Sequence, residues 1–365
     1  MSLGGTYAGF EPMGLFWSMR PSPGQRWGSR FLVRDATKPV TVDLSLYRGH
    51  LDTETLQTAE PEATTTAERW YMGKDVEKIT VRTGRLRGSL FKPKGPGPFP
   101  GVIDMFGSAG GLIEIRAAML ASHGFACYAL PYFGYEDLPP NVWKGLELEY
   151  FKEAVDWISE QPFVKPGGIG MMGVSIAVQI IMSLITRFPE KVKAVVSING
   201  FHAQCTFAVS LNGKLLPYNE YDATGMKPSL RTENAVEMFD GYEAIYDLDE
   251  EDETVYKLEN APNCQFLFIA GDDDRLWDSP YYAQLATRRL ARHGCHNYQF
   301  LGYPDAGHLI EIPYTPSSEV AFTAFIGSVV DNGGTAHGNA KAMEDSWPKI
   351  IRFLRINCGR GNSKL

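Results

Sequence analysis

The sequence lacks the features that are typical of membrane-spanning, secreted, disulfide-bonded and metal-binding proteins. No apolar window of about 18 residues occurs in the 365-residue chain, so we expect no membrane-spanning helix. The N-terminus has no basic region followed by an apolar stretch, which argues against a secretory signal. Only five cysteines occur, and none forms a C-x-x-C pair. We therefore expect neither a disulfide framework nor a metal site.

The charge balance is acidic, with a net charge of −8. This balance disfavours a nonspecific nucleic-acid binder, and we expect no nucleic acid among the partners. It does not exclude a small anionic ligand, because such a ligand needs only a local basic patch.

The C-terminus carries a targeting signal. The last three residues, Ser363, Lys364 and Leu365, form a peroxisomal import address, which is bound by a receptor rather than by lipid. We therefore expect a peroxisomal import receptor as a partner and the peroxisome as the location, with the cytoplasm as the alternative. The sequence leaves the oligomeric state open.

The chain divides into two parts by its apolar patterns. Residues 1–75 are rich in turn residues and short alternating runs, such as the one from Val40 to Leu46. They predict a small, sandwich-like β-domain. From residue 76 onward a hairpin pattern is followed by buried strands that alternate with helices, such as "GVIDM", "GIGMMG", "VKAVVSI" and "QFLFIAG". This alternation predicts an α/β domain over 76–365, with a mostly parallel sheet covered by helices on both faces.

The alternation of strands and helices lapses between about residues 200 and 260. Long insertions in α/β folds tend to lie above the strand ends, where they cover a site. We therefore predict that this stretch is a cap-like segment.

Ser175 has the context of a catalytic nucleophile. It follows a predicted strand that ends near Gly173 and precedes a predicted helix that starts at Ile176. This is the strand–turn–helix setting of a nucleophile elbow, in which the backbone N–H of the next residue, Ile176, donates to the oxyanion. The elbow motif G-x-S-x-G has Ala177 at its last position here, and alanine is the next smallest side chain after glycine.

Candidate partners for Ser175 follow two later strands. Three aspartates, Asp272, Asp273 and Asp274, come after the strand "QFLFIAG", and His308 lies in the loop after "YQFLGY". A serine hydroxyl needs an imidazole to remove its proton and a carboxylate to fix the imidazole tautomer. The order serine, acid, histidine is that of an α/β-hydrolase. The spacing alone does not decide which aspartate is the partner.

A glycine-rich loop, "FGSAGG" at residues 106–111, follows the strand "GVIDM". It occupies the position of the oxyanion loop, and Ser108 is the candidate second donor beside Ile176. A dinucleotide-binding loop would need G-x-G-x-x-G, which the spacing of these glycines does not give.

Several ordered blocks resemble one family. "GTYAGFEPMGLFWSM", "GVIDMFGSAGGLIEIRAAMLASHGFACYALPYFGYEDLP", "VVSINGFH", "AGDDDRLW" and "YPDAGHLIEIPY" closely resemble the type I acyl-CoA thioesterase / bile acid-CoA:amino acid N-acyltransferase family. The resemblance implies an α/β-hydrolase that cleaves acyl-CoA to free acid and CoA through a triad of Ser175, Asp274 and His308. Asp274 is assigned by its position in the family's motif. No cofactor is implied, because CoA is part of the substrate.

The resemblance also raises alternatives. Family members that transfer the acyl group to glycine or taurine typically have cysteine as the nucleophile, so Ser175 favours hydrolysis. Members usually have some tens of residues before the "GTYAGFEP" block, and we expect part of the β-sandwich to be absent here. An unrelated carboxylesterase or dienelactone-type hydrolase and an inactive acyl-CoA-binding protein are more distant alternatives. An acyl tunnel is expected under residues 200–260, and Arg116, Lys214 and Arg275 are candidates to bind the CoA phosphates.

Overall fold

The computed structural model describes residues 1–359, and Ser363, Lys364 and Leu365 lie outside the described residues. The strands in chain order are β1 (Val40–Leu46), β2 (Ala63–Arg69), β3 (Val76–Thr83), β4 (Leu86–Pro93), β5 (Gly101–Met105), β6 (Ala126–Ala129), β7 (Leu146–Glu147), β8 (Ile169–Val174), β9 (Val192–Ile198), β10 (Val209–Leu211), β11 (Lys214–Leu215), β12 (Lys227–Pro228), β13 (Val236–Glu237), β14 (Gln265–Gly271), β15 (Tyr298–Tyr303), β16 (Val320–Thr323) and β17 (Ser328–Asp331). The α-helices are α1 (Gly14–Trp17), α2 (Thr53–Leu56), α3 (Ile115–Ser122), α4 (Leu148–Ser159), α5 (Ile176–Ile185), α6 (Ser279–Arg292) and α7 (Ala336–Asn357).

The core of the molecule is an eight-stranded sheet in the order β3-β4-β6-β5-β8-β9-β14-β15. The strands from β6 to β15 run parallel, whereas β3, β4 and β6 pair antiparallel. Strands β5 and β8 are buried along their whole length, as strands covered on both faces are. Helices α4, α5 and α6 pack on one face of the sheet, and α3 and α7 pack on the other. The predicted α/β architecture is confirmed.

The N-terminal part is rich in strand and loop, as predicted, but its strands form a single antiparallel pair, β1 with β2. Within residues 1–75, all of which are described, no second sheet faces this pair, so the sandwich expected from the alternation is reduced to one layer. The alternation of apolar and polar residues predicted a second sheet packed on this pair. Most side chains of β1 and β2 are instead exposed or only half-buried.

A hairpin of β16 and β17 lies outside the predicted elements. It joins β12 and β13 in a four-stranded sheet. The N-terminal segment packs directly against it, since the Phe322 N–H donates to the Gly28 carbonyl at 2.8 Å. Gly28 has φ +76°, and an added Cβ would lie 2.7 Å from a Val329 methyl group, so glycine permits this contact.

Residues 200–260 contain short strands and the 3-10 helices Ala223–Gly225, Phe239–Ile245 and Leu258–Asn260. Their aromatic side chains pack inward. Phe201 lies 4.1 Å from Trp277 and Tyr242 lies 5.3 Å from it, between ring centroids. In the described part of the chain, no helix is long and apolar enough to cross a membrane.

Candidate active site

Ser175 lies at a strained turn between β8 and α5. Its φ of +62° and ψ of −136° belong to a region that non-glycine residues rarely adopt, and such strain is concentrated at functional sites. Gly173 is required by close packing, because an added Cβ would lie 2.7 Å from Ile181 Cδ1 and 3.3 Å from the Val178 nitrogen. Ala177 is fully buried in the core, so the alanine is accommodated without loss of the strained turn.

His308 and Asp274 form a buried hydrogen-bonded pair. His308 Nδ1 lies 2.8 Å from Asp274 Oδ2. Asp274 also accepts hydrogen bonds from the Leu276 N–H at 2.9 Å and from the Ser279 hydroxyl. Because these donors fix the carboxylate, it holds the imidazole with Nδ1 as the donor. Within residues 1–359, the other ring nitrogen of His308, Nε2, is buried without a hydrogen-bond partner.

The backbone around His308 is fixed as well. The Asn199 side-chain amide donates to the His308 carbonyl at 2.7 Å, and its oxygen accepts from the Gly271 N–H at 2.9 Å. Trp277 packs edge-on against the His308 ring, with 4.5 Å between centroids. The loops after β9, β14 and β15 are thus tied together at the carboxyl ends of the strands, where α/β sheets place their sites.

The two neighbouring aspartates have other partners. Asp273 accepts from Arg231 at 2.6 Å, from Arg275 at 2.8 Å and from the Gly334 N–H at 2.9 Å. Burial, followed by the charge of Asp305, raises the pKa of Asp272. Of the three candidates, Asp274 is therefore the aspartate that the fold brings to His308.

The loop after β5 lies against the serine. An added Cβ on Gly107 would lie 2.7 Å from Ser175 Cβ and 3.1 Å from Ser175 Oγ, so the Gly107 backbone directly adjoins the side chain of Ser175. Ser108 lines the same cavity as Ser175, and its role as an oxyanion donor stays a prediction. Ile176 is the first residue of α5, so its N–H has no acceptor within the helix.

Two buried side chains bind carbonyl groups at the end of β5 and at the start of this loop. Arg116 Nη2 donates to the Met105 carbonyl at 2.7 Å, and the Tyr132 hydroxyl donates to the Phe106 carbonyl at 2.7 Å. In a planar trans peptide the N–H points opposite to the C=O. The Gly107 N–H therefore points away from Tyr132. From the sequence we named Ser108 in this loop and not Gly107, although a glycine shortly after a buried strand is a signal of close backbone approach.

Ser175 and His308 share a cavity of about 440 Å³. Its other walls come from residues 26–32 of the N-terminal part, 106–113 of the glycine-rich loop and 321–324 of the β16–β17 hairpin. None of the residues 200–260 lines this cavity, so the tunnel expected beneath that segment is not found there. The aromatic side chains of the segment pack against Trp277 instead.

Two of the three basic residues suggested to bind the CoA phosphates form ion pairs with aspartates instead. Arg116 is buried in an ion pair with Asp104, at 2.6 Å, and Arg275 pairs with Asp273 at 2.8 Å. Lys214 is exposed on the short strand β11. Asp104 inside the apolar run "GVIDM" was a usable signal, because a carboxylate on a buried strand requires a paired cation.

Two family models match the chain. "BAAT / Acyl-CoA thioester hydrolase C terminal" matches residues 146–359, and "Acyl-CoA thioester hydrolase/BAAT N-terminal region" matches residues 1–83. The chain belongs to this family. The predicted family is therefore confirmed, and so is the prediction of an enzyme, at the level of this family.

Members of the family with different reactions are similar to the chain. It is 36% identical to acyl-coenzyme A thioesterase 2, mitochondrial, of Homo sapiens, over 98% of this chain and 71% of the relative. It is 40% identical to bile acid-CoA:amino acid N-acyltransferase of Homo sapiens, over 97% and 82%. It is 35% identical to peroxisomal succinyl-coenzyme A thioesterase of Mus musculus, over 100% and 83%. The relatives thus include both hydrolases and transferases, from two named organelles.

Solved structures share the fold at low sequence identity. Acylaminoacyl peptidase of Pyrococcus horikoshii superposes with a TM-score of 0.51 and 13% identity, over 80% of this chain and 43% of that chain. This similarity concerns the fold alone.

Proposed function

We propose that this enzyme is an acyl-CoA thioesterase in which Ser175 is the nucleophile, His308 the general base and Asp274 its carboxylate partner. The observation that carries the proposal is the bond between His308 and Asp274, beside a cavity that also contains the strained Ser175. A histidine so oriented directs its other nitrogen toward a nucleophile, and a serine on such a turn presents its hydroxyl to a substrate in the cavity.

The reaction proceeds in two halves. His308 Nε2 takes the proton of the Ser175 hydroxyl while Oγ bonds to the thioester carbon. The tetrahedral intermediate then expels the CoA sulfur, which receives the proton from His308, and an acyl ester remains on Ser175. In the second half His308 removes a proton from water, the hydroxide adds to the ester carbon, and Ser175 leaves with that proton. The cycle needs only acyl-CoA and water.

Backbone N–H groups stabilise the charged intermediate in this proposal. Ile176 supplies one donor at the N-terminus of α5, and the loop of residues 106–111 supplies the second, from Gly107 or Ser108. Donors fixed in advance at an oxyanion are typically worth about 10²–10³-fold in kcat each. The buried contacts of Arg116 and Tyr132 with the preceding carbonyl groups support Gly107 as a fixed donor.

The second candidate function is transfer of the acyl group to an amino acid, because several of the relatives are named N-acyltransferases. Serine at the nucleophile favours water as the acceptor. An oxygen ester on serine is a weaker acyl donor to amines than a thioester on cysteine, so amide formation is slower from Ser175.

Release of free thiol from acyl-CoA, followed with DTNB, tests the proposal. Ser175→Ala is expected to lower kcat by at least about 10⁴-fold, because the covalent step is lost, while acyl-CoA binding persists. Ser183→Ala, a buried serine on the same helix outside the cavity, should keep most of the activity. An unchanged rate in Ser175→Ala would reject the mechanism. Glycine or taurine in the same assay, with conjugate as the main product by mass spectrometry, would favour the transferase.

We also propose that the chain is imported into peroxisomes through Ser363, Lys364 and Leu365. A fluorescent protein fused to the N-terminus leaves the C-terminal carboxylate unmodified, and the fusion should give punctate peroxisomal fluorescence. Deletion of the three residues should move the signal to the cytoplasm. Fluorescence that stays punctate and peroxisomal after the deletion would reject the assignment.

A further inference from the structure

The N-terminal segment of residues 20–32, here called the mouth segment, lies at the edge of the active-site cavity. Arg26, Trp27, Gly28 and Ser29 line the cavity that holds Ser175 and His308. The same four residues line a neighbouring cavity of about 520 Å³, whose other walls include Arg20. The mouth segment therefore borders both cavities, and a long ligand bound at Ser175 would extend past it.

Arg26 combines an aromatic contact with the lack of a carboxylate partner. Its guanidinium lies 4.4 Å from the centre of the Phe322 ring. Stacking on an aromatic ring orients the guanidinium plane while its N–H groups remain available to an acceptor. Within residues 1–359, no carboxylate lies within ion-pair distance of Arg26, whereas Arg116 and Arg231 are both paired with aspartates.

The residues around Arg26 add a second unpaired guanidinium group and an exposed aromatic ring. Arg20 likewise lacks an ion-pair partner in the described part of the chain, whereas Arg30 faces Glu311 at 3.8 Å. The indole of Trp27 is half exposed and is anchored by its N–H, which donates to the Asn234 carbonyl at 3.3 Å. Two uncompensated guanidinium groups beside an exposed aromatic surface suit a ligand that carries both phosphate and a flat base.

We infer that the mouth segment binds the nucleotide end of CoA, with Arg26 as the main phosphate contact. The inference rests on the proposed thioesterase function for the direction of the ligand, because the thioester and the phosphates lie at opposite ends of the pantetheine arm. With the thioester at Ser175, the phosphates point outward. A chain of net charge −8 repels an anionic ligand in general, so a local cluster of unpaired arginines is needed.

The first experiment measures binding of CoA itself by calorimetry, which requires no turnover. Arg26→Ala is expected to weaken binding about tenfold, the range for one charge-assisted contact with a phosphate. Added salt should weaken binding by the native chain more than binding by Arg26→Ala, since screening acts on the removed charge. Arg34→Ala, an exposed arginine outside both cavities, is the matched control and should bind like the native chain.

The second experiment compares acyl-CoA with a truncated thioester, the same acyl group on N-acetylcysteamine. Arg26→Ala should lower kcat/KM about tenfold for acyl-CoA and leave the truncated substrate unaffected. An equal loss on both substrates, CoA binding that is unchanged in Arg26→Ala, or a native chain that does not bind CoA would each overturn the inference. A native chain that binds CoA through Arg26 but releases no thiol would reject the proposed function alone.

Discussion

Two buried histidines, His308 and His202, show how similar burial leads to different chemistry. Each is packed against an aromatic ring, Trp277 at 4.5 Å for His308 and Tyr282 at 5.1 Å for His202, between centroids. Asp274 bonds Nδ1 of His308, whereas Nδ1 of His202 has no hydrogen-bond partner in the described part of the chain. Burial lowers the pKa of His202 to about 4, so this ring stays neutral. The two rings therefore differ in one polar contact, the carboxylate of Asp274, rather than in burial.

The surroundings of the two histidines also differ, one being a polar cavity and the other a packed aromatic cluster. His308 lies at the cavity, where the loops after the strands provide bonded polar groups. His202 belongs to the packed side, where residues 200–260 place aromatic side chains against α6. The four predictions that follow test this contrast between the cavity side, which we expect to control activity, and the packed side, which we expect to control stability. The change for which we expect the greatest effect comes first.

Replacement of the Asp274 carboxylate should leave His308, like His202, without a carboxylate partner. Asp274→Asn is expected to lower kcat by about 10⁴-fold, because the amide favours the wrong imidazole tautomer and does not stabilise the imidazolium. The measurement is thiol release from saturating acyl-CoA. Asp272→Asn, two residues away and not bonded to His308, should stay near the native rate. Equal losses in the two variants would contradict the role given to Asp274.

His202 should affect stability toward acid rather than activity. Its pKa is about 4 in the folded chain and about 6.5 when unfolded, so the unfolded chain binds the extra proton between these values. Stability is therefore lost as the pH falls from about 6.5 to about 4, by about 2 kcal/mol between pH 7 and pH 5.

His202→Phe should remove that part of the pH dependence and keep activity at pH 7. Urea unfolding of both chains at pH 7 and pH 5 measures the difference, with the slope against urea checked for constancy. The same loss of stability between the two pH values in both chains would show that His202 is not the group responsible.

Tyr132 should affect the rate without affecting binding. Tyr132→Phe leaves the partly buried Phe106 carbonyl without its donor and loosens the peptide that presents the Gly107 N–H, so kcat should fall about tenfold with little change in KM. Tyr128→Phe, in which a buried tyrosine loses its bond to the Arg87 carbonyl, is the control for stability effects. A rise in KM at constant kcat would place Tyr132 in substrate binding instead.

Ala177 is close to the catalytic candidate Ser175 in sequence, but its methyl group lies in the core. Ala177→Gly should lower the free energy of unfolding by about 1 kcal/mol, because a buried methyl is lost and a helical glycine is introduced. Activity should change less than about threefold, since the Ser175 turn already has its strained geometry. A large gain in kcat would mean that the alanine impairs the elbow.

Local patterns predicted the strand ends well and the long-range contacts poorly. Ser175, His308 and the run of three aspartates could be placed together because the carboxyl ends of parallel strands meet at one edge of the sheet. Only the resemblance to the family singled out Asp274. The mouth segment and the β16–β17 hairpin could not, since their position depends on contacts such as Gly28 with Phe322, nearly 300 residues apart in the chain. For the same reason Arg116 was taken for a ligand contact, although it pairs internally with Asp104.

The central claim is that Ser175 is the group that carries the acyl chain. A serine-directed fluorophosphonate probe tests it most directly, with the modified residue located by mass spectrometry of the digested protein. The account predicts one adduct, on Ser175, that forms in proportion to the loss of thioesterase activity and is slowed by acyl-CoA. Full activity in a chain whose Ser175 is completely modified, or inactivation by an adduct at another residue, would contradict it.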